Sequence, residues 1–243
     1  MLYRNEVKGP PGRGTIAIGT CPFMPPITRT IARGGTHEIE IKRSRFICSL
    51  ERTADEASAR AFIEATRRRF WDASHNCIAF RIGDRGDIQR SSDDGEPSGT
   101  AGAPMLDVLR KRDLVDLTAV VTRYFGGTLL GAGGLVRAYG GAVSEAVHAI
   151  GIVERHPRHR LDVSIGYDDA GRFEHAIRTS AWDLANVVYG DTHATFMLHV
   201  DTSRLHDVEA WIAELTNGTA RVSRADVIWV DVPVIAAATR QAN

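Results

Sequence analysis

Asp93, Asp94 and Glu96 crowd into one short loop with Gly95, Pro97, Ser98 and Gly99, and His75 precedes them by a single predicted hairpin. Hard carboxylate oxygens gathered in a loop, with an imidazole in reach, could hold a divalent metal and activate water for hydrolysis. The same composition fits a rigid turn better: glycine supplies positive φ, proline fixes φ, and carboxylates accept hydrogen bonds from nearby amides. GEPSG is not the GxSxG elbow, and no cysteine stands in a hydrolase context. Nucleophilic catalysis has no support, and no catalytic residue is assigned.

A second group follows at Arg123, Tyr124 and Phe125, which run into Gly126 and Gly127. Further glycines stand at Gly131, Gly133 and Gly134, with Arg137 beyond them. Strand, glycine loop and helix start in succession can bind phosphate. GGTLLGAGG lacks GK[ST], however, and the third glycine of a dinucleotide fingerprint would fall on Val136, so no cofactor is expected. A close-packed turn with an anion-capable helix start remains. Arg123 and Arg137 flank it and could hold an RNA phosphate, or Arg123 could pair with a carboxylate. Tyr124 and Phe125 could stack on bases, although both follow an apolar strand and core packing suits at least one.

Elements that would position these groups are legible on both sides. Residues 39–50 read as two strands or one bent strand, and Thr53 with Glu56 suggests a capping box opening a helix that ends on Arg67, Arg68 and Arg69. Residues 76–82 and 88–91 form a predicted hairpin, and Pro104 suits the first turn of a helix that ends near Arg112. A buried strand is predicted over 117–124 and an amphipathic helix over 133–149, where Gly140 and Gly141 would admit another backbone. Residues 153–159, VERHPRH, read as a linker. Beyond them the pattern is strand, helix, strand, strand, helix, strand up to residue 230.

Composition bounds the function classes. The chain has 243 residues, 43% of them hydrophobic, which suits one large domain or two small ones with ordinary cores. Lys+Arg and Asp+Glu each number 30, so no global field draws in nucleic acid or membrane, and recognition must be local. Cys21, Cys48 and Cys77 are odd in number and lack CxxC spacing, which suggests reduced thiols in the cytoplasm. No run reaches the roughly 18 apolar residues that suggest a membrane span. The proline-rich, aperiodic stretch 1–36 is expected to be a flexible extension.

SDDGEPSGTAG, VVTRYFGG and LGAGGLVRAY, in this order, resemble the IMPACT family and its bacterial YigZ-like members; the resemblance covers roughly residues 37–232. It implies an α+β fold of two domains. The first, over 37–153, would be like domain IV of elongation factor G; the second, over 159–232, would be like domain V and ferredoxin-like, βαββαβ. It also implies a non-catalytic, regulatory role in translation, since eukaryotic relatives restrain a stress kinase that phosphorylates an initiation factor. For a bacterial-type chain the expected partner is the ribosome, RNA or a translation-associated protein. The chain departs from the family's pattern at Ala103, Thr128 and Leu130, where relatives often carry basic or bulkier residues; any anion contact there would be weaker.

Overall fold

A computed structural model describes residues 25–234. It contains two α+β units, each a five-stranded antiparallel sheet, the first with helices on both faces and the second with both of its helices packed into one core. The first sheet has β2 (Gly35–Ile41), β3 (Ser44–Arg52), β6 (Leu117–Tyr124), β4 (His75–Ile82) and β5 (Ile88–Ser92) in that spatial order. Helix α1 (Glu56–Arg69) covers one face, with Ile63 packing on Phe80 and Val120. Helices α2 (Gly102–Lys111) and α3 (Ala132–Ile150) cover the other, where Phe46, Leu109, Val121, Tyr139 and Val143 share a core. Central β6 is therefore covered on both faces, which is why LTAVVTRY reads as a continuous run rather than an alternation.

The α1 cap differs from the expected one. Asp55 accepts from the Ser58 amide at 2.7 Å, and Ser58 Oγ meets the Asp55 amide in return. Thr53 is buried instead, its hydroxyl 2.7 Å from that of Thr118 on β6. The TxxE pattern of Thr53 and Glu56 overlaps a DxxS pattern of Asp55 and Ser58, and the latter, closer to the helix, satisfies its first amides. Gly140 lets α2 approach, with its missing Cβ 3.8 Å from Pro104 O, whereas Gly141 faces open space.

The second sheet is built on β7 (Ile152–Gly166), and this strand overturns the linker expected at 153–159. Along one edge it pairs with β10 (Arg221–Pro233); along the other it pairs first with β1 (Thr28–Ile31) and then with β9 (His193–Val200), next to β8 (Asp183–Tyr189). Pro157 lies between the stretches paired with β1 and β9, where one strand edge has no ladder partner and a missing N–H costs least. Polar VERHPRH hides a strand because most of its side chains are half-buried rather than alternating cleanly. Helices α4 (Tyr167–Thr179) and α5 (Leu205–Leu215) pack Phe173 and Ile212 around Phe196. With β10-β7-β9-β8 as its order and α4 and α5 as its helices, the unit is the expected ferredoxin-like arrangement.

Residues 28–31 and 35–36 likewise lie in strands, not in a loose extension; residues 1–24 of that extension lie outside the described residues. TRTI is too short to show a period, and its order comes from β7: Ile31 is buried in the first core, and Arg29 forks onto Glu154 at 3.1 and 2.7 Å. Ion pairs tie the two units as well, Arg155 to Asp116 at 3.0 Å and Arg52 to Asp231 at 2.7 Å. Among the described residues no helix is long and apolar enough to cross a membrane.

Candidate functional site

The end of β6 and the start of β4 set the site. Their register places His75 opposite Arg123, and β3 places Phe46 opposite Arg123 on the other side, so the three share one face of the sheet. Tyr124 turns to the opposite face, where its hydroxyl donates to Asp72 at 2.8 Å and the Arg45 guanidinium covers its ring.

The acidic loop after β5 folds over this sheet end. Asp94 at φ 45°, Gly95 at 86° and Gly99 at 76° occupy the left-handed region that lets it double back. The Asp93 carboxylate accepts from the amides of Gly99, Ala101 and Gly102 at 2.8, 3.0 and 2.8 Å, and so opens α2 without a cap from Ala101. Burial alone would raise its pKa; the three amides outweigh burial and hold it below the usual carboxylate range. Asp94 accepts from the Asn76 amide at 2.7 Å and from Arg67 at 3.2 Å, while its carbonyl accepts from His75 Nδ1 at 2.8 Å. That last bond leaves His75 Nε2 toward Glu96, 3.9 Å from Oε1.

Glu96 carries the centre. Its Oε1 accepts from Arg123 Nη1 at 2.5 Å and from the Tyr139 hydroxyl at 2.7 Å, and all three residues are buried. The Arg123 guanidinium lies between the rings of Phe46 and Phe125, 5.4 and 5.5 Å from their centroids. Burial, with Cys77 and Glu96 nearby, raises the Tyr139 phenol. Burial likewise pushes the Cys77 thiol up to about 12, and its S–H donates to Asp93 O at 3.0 Å. These groups are neutral hydrogen-bond donors, not poised acids or nucleophiles.

Above the ion pair opens a cavity of about 450 Å³. Glu96, Arg123 and His75 form its polar floor; Phe125, Leu129 and Leu130 form much of its apolar wall. Phe125 is 48% exposed and Leu129 83%, so the apolar surface continues out of the cavity. Four of the expected binding residues, His75, Glu96, Arg123 and Phe125, thus converge. Asp93 and Asp94 hold the loop from beneath, and Ser98 is exposed in the loop away from the cavity lining. Gly126 is pressed on the hairpin of β2 and β3, where a Cβ would stand 2.1 Å from Arg43 C and O; Gly127 has φ 80°. Gly133 and Gly134 lie in the first turn of α3, and Arg137 is exposed one turn on.

The carboxylates of Asp93, Asp94 and Glu96 point to different partners, and among the described residues no three His, Cys, Asp or Glu side chains converge as a metal set. The loop is a cap. Tyr139, Leu129 and Ala132 belong to the site without having been expected there, and Gly131 and Leu130 join them from the glycine loop. Tyr139 carried a signal, since a phenol on an otherwise apolar helix face needs a polar partner.

Comparison with known proteins agrees with this two-unit organisation. The sequence model of the Impact N-terminal domain matches residues 42–147, and that of a domain of unknown function, DUF1949, matches 163–219. The chain is 44% identical to IMPACT family member YvyE of Bacillus subtilis (strain 168) over 84% of its length and 94% of the relative's. It is 36% identical to IMPACT family member YigZ of Escherichia coli (strain K12) over 75% of its length and 90% of that protein's. A crystal structure of a hypothetical protein, 32% identical, superposes with a TM-score of 0.53 over 82% of this chain and 98% of that one. With both domains matched in order and relatives covered almost end to end, the chain belongs to the IMPACT family.

Proposed function

We propose that this chain is a non-catalytic, regulatory binding protein of the translation apparatus in the cytoplasm, and that it meets its partner through the cavity above Glu96 and Arg123. One observation carries the binding reading: every carboxylate of the acidic loop is committed to an internal donor, while the apolar wall at Phe125 and Leu129 stays open. Carboxylates consumed in this way are unsuited to holding a metal or activating water, which weighs against hydrolysis. An apolar cavity with a few fixed polar groups suits recognition. The translation context comes from the role that family resemblance implies, with ribosome, RNA or a translation-associated protein as the contact.

Sedimentation of the purified chain with ribosomes from the same organism tests this. Wild type is expected in the ribosomal pellet at low salt, and Leu129→Asp is expected to weaken that association by about tenfold or more. A wild-type chain that stays in the supernatant, or a Leu129→Asp chain that pellets like wild type, would sink the proposal.

A further inference from the structure

Glu96 meets Arg123 and Tyr139 through Oε1 alone. Its Oε2 accepts nothing among the described residues, yet it is not one of the buried atoms sealed without a partner, so the small exposed part of this side chain opens on the cavity that it lines. A carboxylate oxygen set almost wholly in protein with its lone pairs free calls for a donor. His75 supplies a second acceptor. The Asp94 carbonyl can only accept, so the proton of the neutral ring sits on Nδ1 and Nε2 presents its lone pair. Nε2 stands 3.9 Å from Glu96 Oε1, too far for a hydrogen bond between them and close enough for one nitrogen to donate to both side chains.

Charge selects the donor. Arg67 pairs with Asp94 and Arg123 with Glu96, while Asp93 is met by amides and by no cation, so the loop beneath the cavity keeps an excess of negative charge. Arg123 is spent on Glu96, and its unpartnered Nε is sealed from the cavity. A phosphate on this floor would face acceptors; a cationic nitrogen would meet its complements. The wall decides what carries that nitrogen. Phe125, Leu129, Leu130 and Leu135 line the cavity with apolar surface that runs out past the exposed Leu129, which suits a methylene stem with its charge at the tip. At the rim, the amides that open α3 have no intrahelical acceptor and suit backbone carbonyls of the same partner.

We propose that the cavity receives a lysine or arginine side chain of a partner protein, its stem along Leu129 and Leu130 and its charged head on Glu96 and His75. This names the partner class of the binding role proposed above and rests on it.

The test is binding of the full chain, by fluorescence anisotropy, to labelled, acetylated and amidated Ala-Leu-X-Leu-Ala peptides in which X is lysine, arginine, norleucine or glutamate, and to a single-stranded oligouridylate. Norleucine keeps the lysine stem and drops the charge. The lysine and arginine peptides should bind about tenfold or more tighter than the norleucine one, and the gap should narrow as salt rises. Glu96→Gln should remove most of that gap and His75→Phe part of it, each in a chain whose melting curve shows it folded; if Glu96→Gln does not fold, the norleucine comparison on wild type and the His75→Phe chain carry the result. Equal affinity for lysine and norleucine, preference for glutamate, or a gap that survives the substitutions would overturn the assignment. Oligouridylate that binds and displaces the lysine peptide would overturn it too, and would make RNA the occupant. If lysine and norleucine bind alike while ribosome association still depends on Leu129, only the cation assignment fails; loss of that dependence as well removes the binding role.

Discussion

Arg123 and Glu96 stand 27 residues apart in the chain and meet at 2.5 Å, with side chains only 6% and 4% exposed. Such a pair adds little stability over an apolar filling, yet removing one partner strands the other charge. Arg123→Ala is expected to cost about 3–5 kcal/mol in urea unfolding, and Glu96→Gln, which keeps an acceptor for Tyr139, less than that. The double change Arg123→Met with Glu96→Leu should recover much of the loss. An Arg123→Ala chain as stable as wild type would show that the pair is not sealed from water.

Two adjacent glycines should respond differently. A Cβ at Gly126 would meet Arg43 backbone at 2.1 Å, which forces the hairpin of β2 and β3 away from β6, whereas Gly127 has nothing within 4 Å and only its φ of 80° to lose. Gly126→Ala is expected to destabilise by more than about 3 kcal/mol and Gly127→Ala by about 1 kcal/mol, read from denaturant midpoints. Similar costs at the two positions would contradict the close contact.

Cys48 and Cys77 have no exposed surface, and burial pushes both thiols up, that of Cys77 to about 12. Both should resist iodoacetamide at about pH 8 in the native chain and react after unfolding, with peptide mass spectrometry resolving each site. Rapid native alkylation of Cys77, which donates to Asp93 O, would mean that the acidic loop opens.

Charged residues set in glycine-rich text made His75, Glu96 and Arg123 legible as a site, and both runs of helix and strand were legible from their periods. Their pairing was not. Arg123 reaches Glu96 only because β4 and β6 fix His75 opposite Arg123, and that register is a tertiary fact. Tyr139 reads as one more residue of an amphipathic helix until its hydroxyl meets Glu96, and Leu129 is an ordinary apolar letter until the glycines turn it to the cavity rim. β1 and the first half of β7 failed for the opposite reason. Each is polar and aperiodic alone, and the two acquire order by pairing with each other across the whole first domain.

Because 153–159 is strand, trypsin should spare it. Arg155 is held by Asp116 and lies over the Trp229 ring at 4.9 Å, and Arg158 is bound to Asp183 at 3.0 Å, all within a ladder shared with β10. Cleavage needs an extended segment free of its neighbours, so neither site should be cut while the chain is native. Asp116→Ala removes one tie and should raise cleavage after Arg155, detected by fragment mass. Fast cutting after Arg155 or Arg158 in the wild type would restore the linker.

Asp93 makes the acid limb of stability testable. Its carboxylate is held below its ordinary value by three amides despite partial burial, so its folded pKa lies under the unfolded one of about 3.9. A depressed carboxyl contributes stability that is present above the unfolded pKa and lost as pH falls through the folded one. Wild type should therefore lose stability as pH drops below about 4, and part of that slope belongs to Asp93. Asp93→Asn should cost about 1–2 kcal/mol near neutral pH, as the loss of a charged cap does, and should flatten the acid limb because the titrating group is gone. Urea unfolding at several pH values between about 2.5 and 7 measures both effects at once. If the variant and wild type differ by the same amount at every pH, the carboxylate charge is not what holds the loop, and the three amide contacts act through geometry alone.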